Sequence, residues 1–345
     1  MSKNLISIPS EDHLDNILTT PRQELIDSIS LYRSPLIILG ASGKMGPSMA
    51  VLAHRAAQAA GYPLEVITVS RFTDDSMRWW LEENQIRTIR CNLMDPSVYA
   101  KLPDSDNIIY LVDLTFGTRD DSPLTWATNT QIPAMVSKRY ASGRMVVLSS
   151  GNVYPMVPIN SHGAGEKDPL TPYGEYANSL VARERIFEYY SIQNLSSMVI
   201  IRQGYALDLR YGILVDIAAR IFAGQPVPIS TSYFNAIWQG DANEFILRSI
   251  SNVSIPPKPI NITGTQKLST RQIALRFGEI MNLPVFFSGE EAETALLMNA
   301  DLMVSLFGEP PTPIDQVIQW TADWIMRGGR SLNKPTHFEI RDGRY

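Results

Sequence analysis

A short apolar run that breaks into three spaced glycines and then into a helix leaves a chain few folds to adopt. Residues 36–40 read LIILG, and the overlapping GASGKMG places Gly40, Gly43 and Gly46 in a G-x-x-G-x-x-G spacing. PSMAVLAHRAAQAA follows with a helical pattern. A strand, a tight glycine turn and a helix N-terminus in that order aim backbone N–H groups at an anion. A glycine triplet alone reads equally well as a structural turn, but here both flanking elements are present.

The same alternation continues. LEVITVS, NIIYLVD, RMVVLSS, SMVIIRQ and KPINITG are apolar runs of strand length, most of them separated by helical patterns such as ANSLVARERIFEYY. Runs of this kind, buried on both faces, predict an α/β fold with a doubly wound parallel sheet of the Rossmann type. We read residues 34–203 as the dinucleotide-binding domain and 1–33 as a helical N-terminal extension, with Thr20 as cap and Pro21 as opener of a helix. Residues 204–345 form mainly a smaller C-terminal substrate lobe, interleaved because a strand near 258–264 returns to the first domain. The tail, LNKPTHFEIRDGRY, is a solvated end by default, with Lys334 and His337 as a weaker option for closing over a cleft.

Composition excludes more than it selects. A net charge of −5 argues against a general nucleic-acid binder, which needs clustered basic residues. The single cysteine, Cys91, excludes an internal disulfide and fits a reducing, cytoplasmic setting. His13, His54, His162 and His337 are scattered without metal-ligand spacing, and no apolar run reaches the roughly 20 residues of a membrane span.

The end of the second strand bears on cofactor choice. VITVSRF carries Ser70 and Arg71 where an acid would hold a ribose 2′-hydroxyl. A guanidinium suits a 2′-phosphate better, with Lys44 adding positive charge nearby, so NADP is expected over NAD. A solvated surface arginine is the alternative for Arg71.

These segments together resemble the extended short-chain dehydrogenase/reductase superfamily, specifically its NAD-dependent epimerase/dehydratase family, from about Leu36 to Trp324. The resemblance rests on GASGKMG, on CNLMD with Asn92, on WATNT with Asn129, on VVLSSGNVYP with Ser150, on IIRQGYALDLRYG and on WQGDANEF. It implies cofactor contacts at Gly40, Ser42, Gly43, Lys44, Met45, Gly46, Ser70, Arg71, Asn92, Leu93, Thr115 and Tyr176. It implies Tyr176 as acid/base and Ser150 as the orienter of a substrate oxygen, in a hydride transfer on a sugar or sugar-acid derivative. Asn152, Tyr154, Arg210 and Trp238 become candidates for the substrate, although core packing explains Trp238 equally well. Arg202, ending an apolar strand, is read as structural. A homodimer is implied too.

One departure stands out. In PYGEYANSLVARE, residues 172–184, the family's lysine four residues after the tyrosine is Leu180. A phenol with an ordinary pKa near ~10 is a poor base at neutral pH without a nearby cation. Three readings stay open. Arg183 substitutes, unless it is a surface or dimer-interface arginine; the oxidised cofactor's own charge suffices; or the protein binds dinucleotide without catalysis, as a sensor or scaffold.

Overall fold

The computed structural model describes residues 7–114, 121–334 and 336–343. Its centre is a seven-stranded sheet of β1 (Leu36–Leu39), β2 (Val66–Ser70), β3 (Arg87–Arg90), β4 (Asn107–Tyr110), β5 (Arg144–Ser150), β6 (Met198–Gln203) and β7 (Lys258–Ile262). The strands lie in the order β7-β6-β5-β4-β1-β2-β3, every pair parallel. This is the doubly wound arrangement that the apolar runs predict. The order reverses between β1 and β4, where ligands of such sheets bind at the carboxyl ends of the strands.

Side chains alternate across each strand. Leu36 and Ile38 of β1 face one core, while Ile37 and Leu39 face the other. The first core is covered by α3 (Gly46–Ala59) and α8 (Gln239–Arg248), the second by α5 (Ser122–Arg139) and α6 (Gly174–Asn194). A third cluster joins α7 (Ile213–Phe222), α9 (Thr270–Met281) and α11 (Ile314–Met326), and carries Leu14 and Leu18 of an N-terminal helix, α1 (Glu11–Thr19).

The N-terminal segment differs from its sequence reading. Ser10 caps α1 by accepting from the His13 N–H at 3.2 Å, and Thr20 ends that helix instead of starting the next. The following helix, α2, spans Gln23–Ser28. Arg22 anchors the segment by pairing with Asp241 at 2.7 Å and Glu244 at 3.1 Å, both buried on α8. The C-terminal tail is likewise docked. Phe338 is buried in the third cluster, Thr231 donates to the Phe338 carbonyl at 2.6 Å, and Arg341 donates to Thr294 at 2.7 Å. Lys334 and His337 remain exposed on that tail. No described helix is long and apolar enough to cross a membrane.

Candidate active site

The glycine loop is set by contacts that forbid side chains. Gly40 has φ +82°, and a Cβ there would lie 2.6 Å from the Val112 N–H nitrogen, so strand β1 turns directly against the chain leaving β4. A Cβ on Gly46, the first residue of α3, would sit 2.4 Å from the Ala41 carbonyl oxygen. Gly43 is different: among the described residues a Cβ there would meet only Gly40 O, at 3.5 Å, an ordinary contact. No side chain caps α3, which leaves its first-turn N–H groups free to meet an anion. The loop therefore fits the diphosphate of a dinucleotide.

At the adenosine end, Ser42 Oγ and Ser70 Oγ meet at 2.5 Å, tying the loop to the end of β2. Arg71 follows, exposed and without a partner among the described residues. Asn92 is exposed beyond β3, its side-chain oxygen accepting from the Met94 N–H at 3.1 Å. Three of the expected cofactor contacts have their side chains engaged elsewhere. Leu93 turns its side chain into the core, and its carbonyl accepts from Tyr99 at 2.9 Å. Met45 also buries its side chain. Lys44 points to the second lobe, where its ammonium donates to the Ala206 carbonyl and sits 4.3 Å from the Tyr211 ring centroid. Burial pushes its pKa down to about 8. It is spent on the lobe contact, not on a 2′-phosphate.

The chemistry-bearing side chains gather one strand further on. Ser150 ends β5, and its hydroxyl accepts from the Asn152 N–H at 3.2 Å. It lines a cleft of about 120 Å³ together with Asn152, Tyr176, Gln203, Asn235 and Thr263. Tyr176 lies in the first turn of α6, whose start is pressed close by the tail: Gly174 has φ +83°, and a Cβ there would meet Gly343 O at 2.3 Å.

Leu180, where the family places lysine, is fully buried among Val153, Tyr154, Ala164, Tyr176 and Met298. Burying a leucine there contributes about 1.5–3 kcal/mol of packing, and no cation approaches Tyr176 by that route. Instead the Tyr176 hydroxyl donates to Asp113 Oδ2 at 2.7 Å. Asp113 follows Val112, the residue against which Gly40 packs, so the same chain segment touches the glycine loop and the tyrosine. Its other oxygen, Oδ1, accepts from Arg183 Nη2 at 2.8 Å.

Arg183 is 2 % exposed, which rules out the surface and dimer-interface readings. It also donates to the Leu148 carbonyl at 3.1 Å and to Asn129 Oδ1, and Asn129 in turn donates to Ser179 at 2.8 Å. Burial disfavours the Arg183 charge, but the Asp113 carboxylate more than offsets this and holds its pKa above the ordinary arginine value. The guanidinium thus hydrogen-bonds the tyrosine's partner, and its charge also acts on Tyr176 itself.

Three substrate candidates are placed elsewhere. Tyr154 is buried, donating to Asn261 Oδ1 at 2.8 Å and accepting from Arg202 at 2.8 Å, with its pKa pushed up to about 12 by burial. Arg210 is committed to Asp208 and Asp15, both at 2.9 Å, and so ties α1 to the second lobe. Trp238 is 3 % exposed and packs on Trp320 with ring centroids 5.4 Å apart. Arg202 is structural, with Nη2 on Glu184 Oε2 at 2.8 Å and Nε on Oε1 at 3.1 Å; Ser149 also donates to Oε1, at 2.6 Å. Thr115 lies outside the described residues. Gln203 and Thr263 were not singled out in the sequence, although both stand at the ends of recognisable strand runs. Asn235 has no such signal.

Sheet order, glycine loop and the serine–tyrosine cleft define a dinucleotide-binding protein of the Rossmann type. The profile of the NAD dependent epimerase/dehydratase family matches residues 36–205. Through that segment, just under half of the chain, the protein is similar to the NAD-dependent epimerases and dehydratases of this family. A search of curated protein sequences gives no significant match. Among solved structures, a dTDP-glucose 4,6-dehydratase from Bacillus anthracis in complex with NAD superposes with a TM-score of 0.71 at 14% identity, covering 86% of this chain and 97% of its own. A UDP-glucuronic acid 4-epimerase from Bacillus cereus, in complex with NAD, gives 0.70 at 14%, covering 85% and 99%. A UDP-glucose 4-epimerase from Thermotoga maritima, with UDP-glucose, gives 0.69 at 13%, also covering 85% and 99%. At these identities the likeness shows the fold.

Proposed function

We propose that the protein catalyses an NAD(P)-dependent epimerisation, dehydration or oxidation of a sugar or sugar-acid derivative, with Tyr176 as proton-transfer group and Ser150 as orienter. The observation that carries this reading is the Tyr176–Asp113–Arg183 chain beside Ser150. The dinucleotide, held by the Gly40–Gly46 loop, supplies hydride exchange when bound. The Ser150 hydroxyl holds the substrate oxygen. Tyr176 Oη takes the proton from that oxygen as its own proton passes to Asp113 Oδ2, and Arg183 keeps the carboxylate in place. A carboxylate at the end of the relay removes the need for a free tyrosinate, which is what the lysine would otherwise stabilise.

The cofactor in this reading is NADP, supported by exposed Arg71 beside Ser70. A homodimer is supported by the exposed Leu124 on α5 and the exposed Tyr189 and Ile192 on α6. The test is turnover with NAD and NADP across UDP-glucose, dTDP-glucose and UDP-glucuronic acid, followed by reduced-nicotinamide absorbance and by NMR of the sugar. Tyr176→Phe should lower turnover by about 10²–10⁴-fold while leaving dinucleotide affinity intact. Tight dinucleotide binding with no turnover, the same in wild type and Tyr176→Phe, would instead identify a dinucleotide-binding sensor or scaffold, the reading Leu180 favours.

A further inference from the structure

Two buried polar atoms in the cleft have no partner among the described residues; one belongs to the last residue of β6 and the other to the residue directly after β7. Ser150, Gln203 and Ile262 are in register across β5, β6 and β7, with Gln203 opposite both of the others. Adjacent strands lie roughly 4.8 Å apart, so Ser150, Gln203 and Thr263, which follows Ile262, form one row along the carboxyl edge of the sheet. All three line the cleft that holds Tyr176.

The Gln203 amide is oriented by its neighbours. Its Nε2 donates to the Ile262 carbonyl at 3.1 Å and to the Gly204 carbonyl at 3.2 Å, so a flipped amide would set carbonyl against carbonyl. That leaves Oε1 as an acceptor, and it has no hydrogen-bond partner although Gln203 is only 9 % exposed. Thr263 is fully buried, and its Oγ1 is also without a partner. A Cβ on residue 204 would lie 2.5 Å from that hydroxyl, so only glycine lets the chain pass this close to it. Buried polar atoms are normally satisfied, and unsatisfied ones in a cleft mark where a ligand supplies the missing group.

We infer that Gln203 and Thr263 form a hydroxyl-recognition site, in which a ligand hydroxyl donates to Gln203 Oε1 and accepts from Thr263 Oγ1. The inference rests on the proposed function and deepens it. With one hydroxyl at Ser150 and Tyr176 and a second at Gln203 and Thr263, the substrate is a polyol such as a sugar ring, not a simple hydroxy acid. The other group that could donate to Gln203 Oε1 is the carboxamide of a bound nicotinamide, and the experiment separates the two.

Binding is measured calorimetrically, so the result does not depend on turnover. The probes are the dinucleotide alone and, with dinucleotide present, UDP-glucose, dTDP-glucose and their monodeoxy-sugar counterparts. Thr263→Val removes only an unpartnered hydroxyl, so its melting temperature should equal or exceed that of wild type. It should weaken binding of the glucose probe about tenfold and leave dinucleotide affinity unchanged. It should also abolish the preference of wild type for the full sugar over one particular deoxy counterpart. Gln203→Met, a second variant that also gives up the two Nε2 bonds to the Ile262 and Gly204 carbonyls and so should melt lower, should show the same pattern of affinities. A loss confined to dinucleotide affinity would overturn the assignment in favour of the carboxamide. Unchanged affinities for both ligands, or wild-type protein that binds dinucleotide but none of the sugars, would overturn it outright. Failure of turnover with these affinities as expected would count only against the proposed function.

Discussion

Two arginine–carboxylate pairs meet on helix α6, one residue apart, and they are built for different ends. Glu184 and Arg202 form a closed cluster, 2% and 5% exposed at their side chains, in which Glu184 takes both oxygens to Arg202 and one also to Ser149. Arg183 is as deeply buried, but its partner Asp113 keeps a quarter of its side-chain surface exposed and turns its second oxygen to Tyr176. A closed pair holds sheet to helix. An open pair leaves a carboxylate where a proton can reach it.

The contrast is broken most severely at the closed pair. Glu184→Gln strands the buried Arg202 charge and should cost about 3–5 kcal/mol by chemical denaturation. The matching exchange at the open pair, Asp113→Asn, also leaves a buried guanidinium, Arg183, without its counter-charge, but the amide oxygen can still accept and the lost carboxylate was part solvated, so the cost should be smaller, about 2 kcal/mol. Equal losses would mean that both pairs are structural. A smaller effect is expected from Arg210→Ala, which undoes the bridges to Asp208 and Asp15 and should cost about 1–3 kcal/mol while leaving sugar-nucleotide affinity unchanged. A loss of affinity would return Arg210 to the substrate. Arg71→Ala should weaken NADP binding about tenfold and NAD binding hardly at all, and equal losses would remove the case for a 2′-phosphate site.

A further effect, seen only as a change with pH, is expected at Lys44. Its folded pKa of about 8 lies below the unfolded value near ~10.4. Between those values the unfolded chain binds more protons, so this group's contribution to stability rises with pH from about 8 to ~10.4 and is lowest below that window. The stability difference between wild type and Lys44→Met should therefore shift towards wild type across that range. A difference constant with pH would contradict the burial of the ammonium.

What the sequence made legible is what local sterics decide. Gly40 and Gly46 are required by backbone atoms that the strand–turn–helix pattern itself brings close, and the apolar strands follow from burial on both faces. Tyr154, Arg210 and Trp238 have the right residue types for a sugar site, but Asn261, Asp15 and Trp320 claim them from 107, 195 and 82 positions away. Such pairings leave no periodic trace. The docked tail is hidden for the same reason, since Phe338 finds its apolar pocket only once the second lobe exists. The gap at Leu180 is visible in the sequence, but what answers it is not, because Asp113 stands 63 residues before Tyr176.

The central claim is that Asp113, anchored by Arg183, stands where the lysine would as the partner of Tyr176. The most direct measurement is single-turnover reduction of bound dinucleotide in Asp113→Asn against wild type, with the active sugar nucleotide and with dinucleotide affinity checked in parallel. The account predicts a rate lower by about 10²-fold or more at unchanged dinucleotide affinity, in a variant that is still folded at the assay temperature. A wild-type rate in Asp113→Asn, alongside a dead Tyr176→Phe, would contradict it.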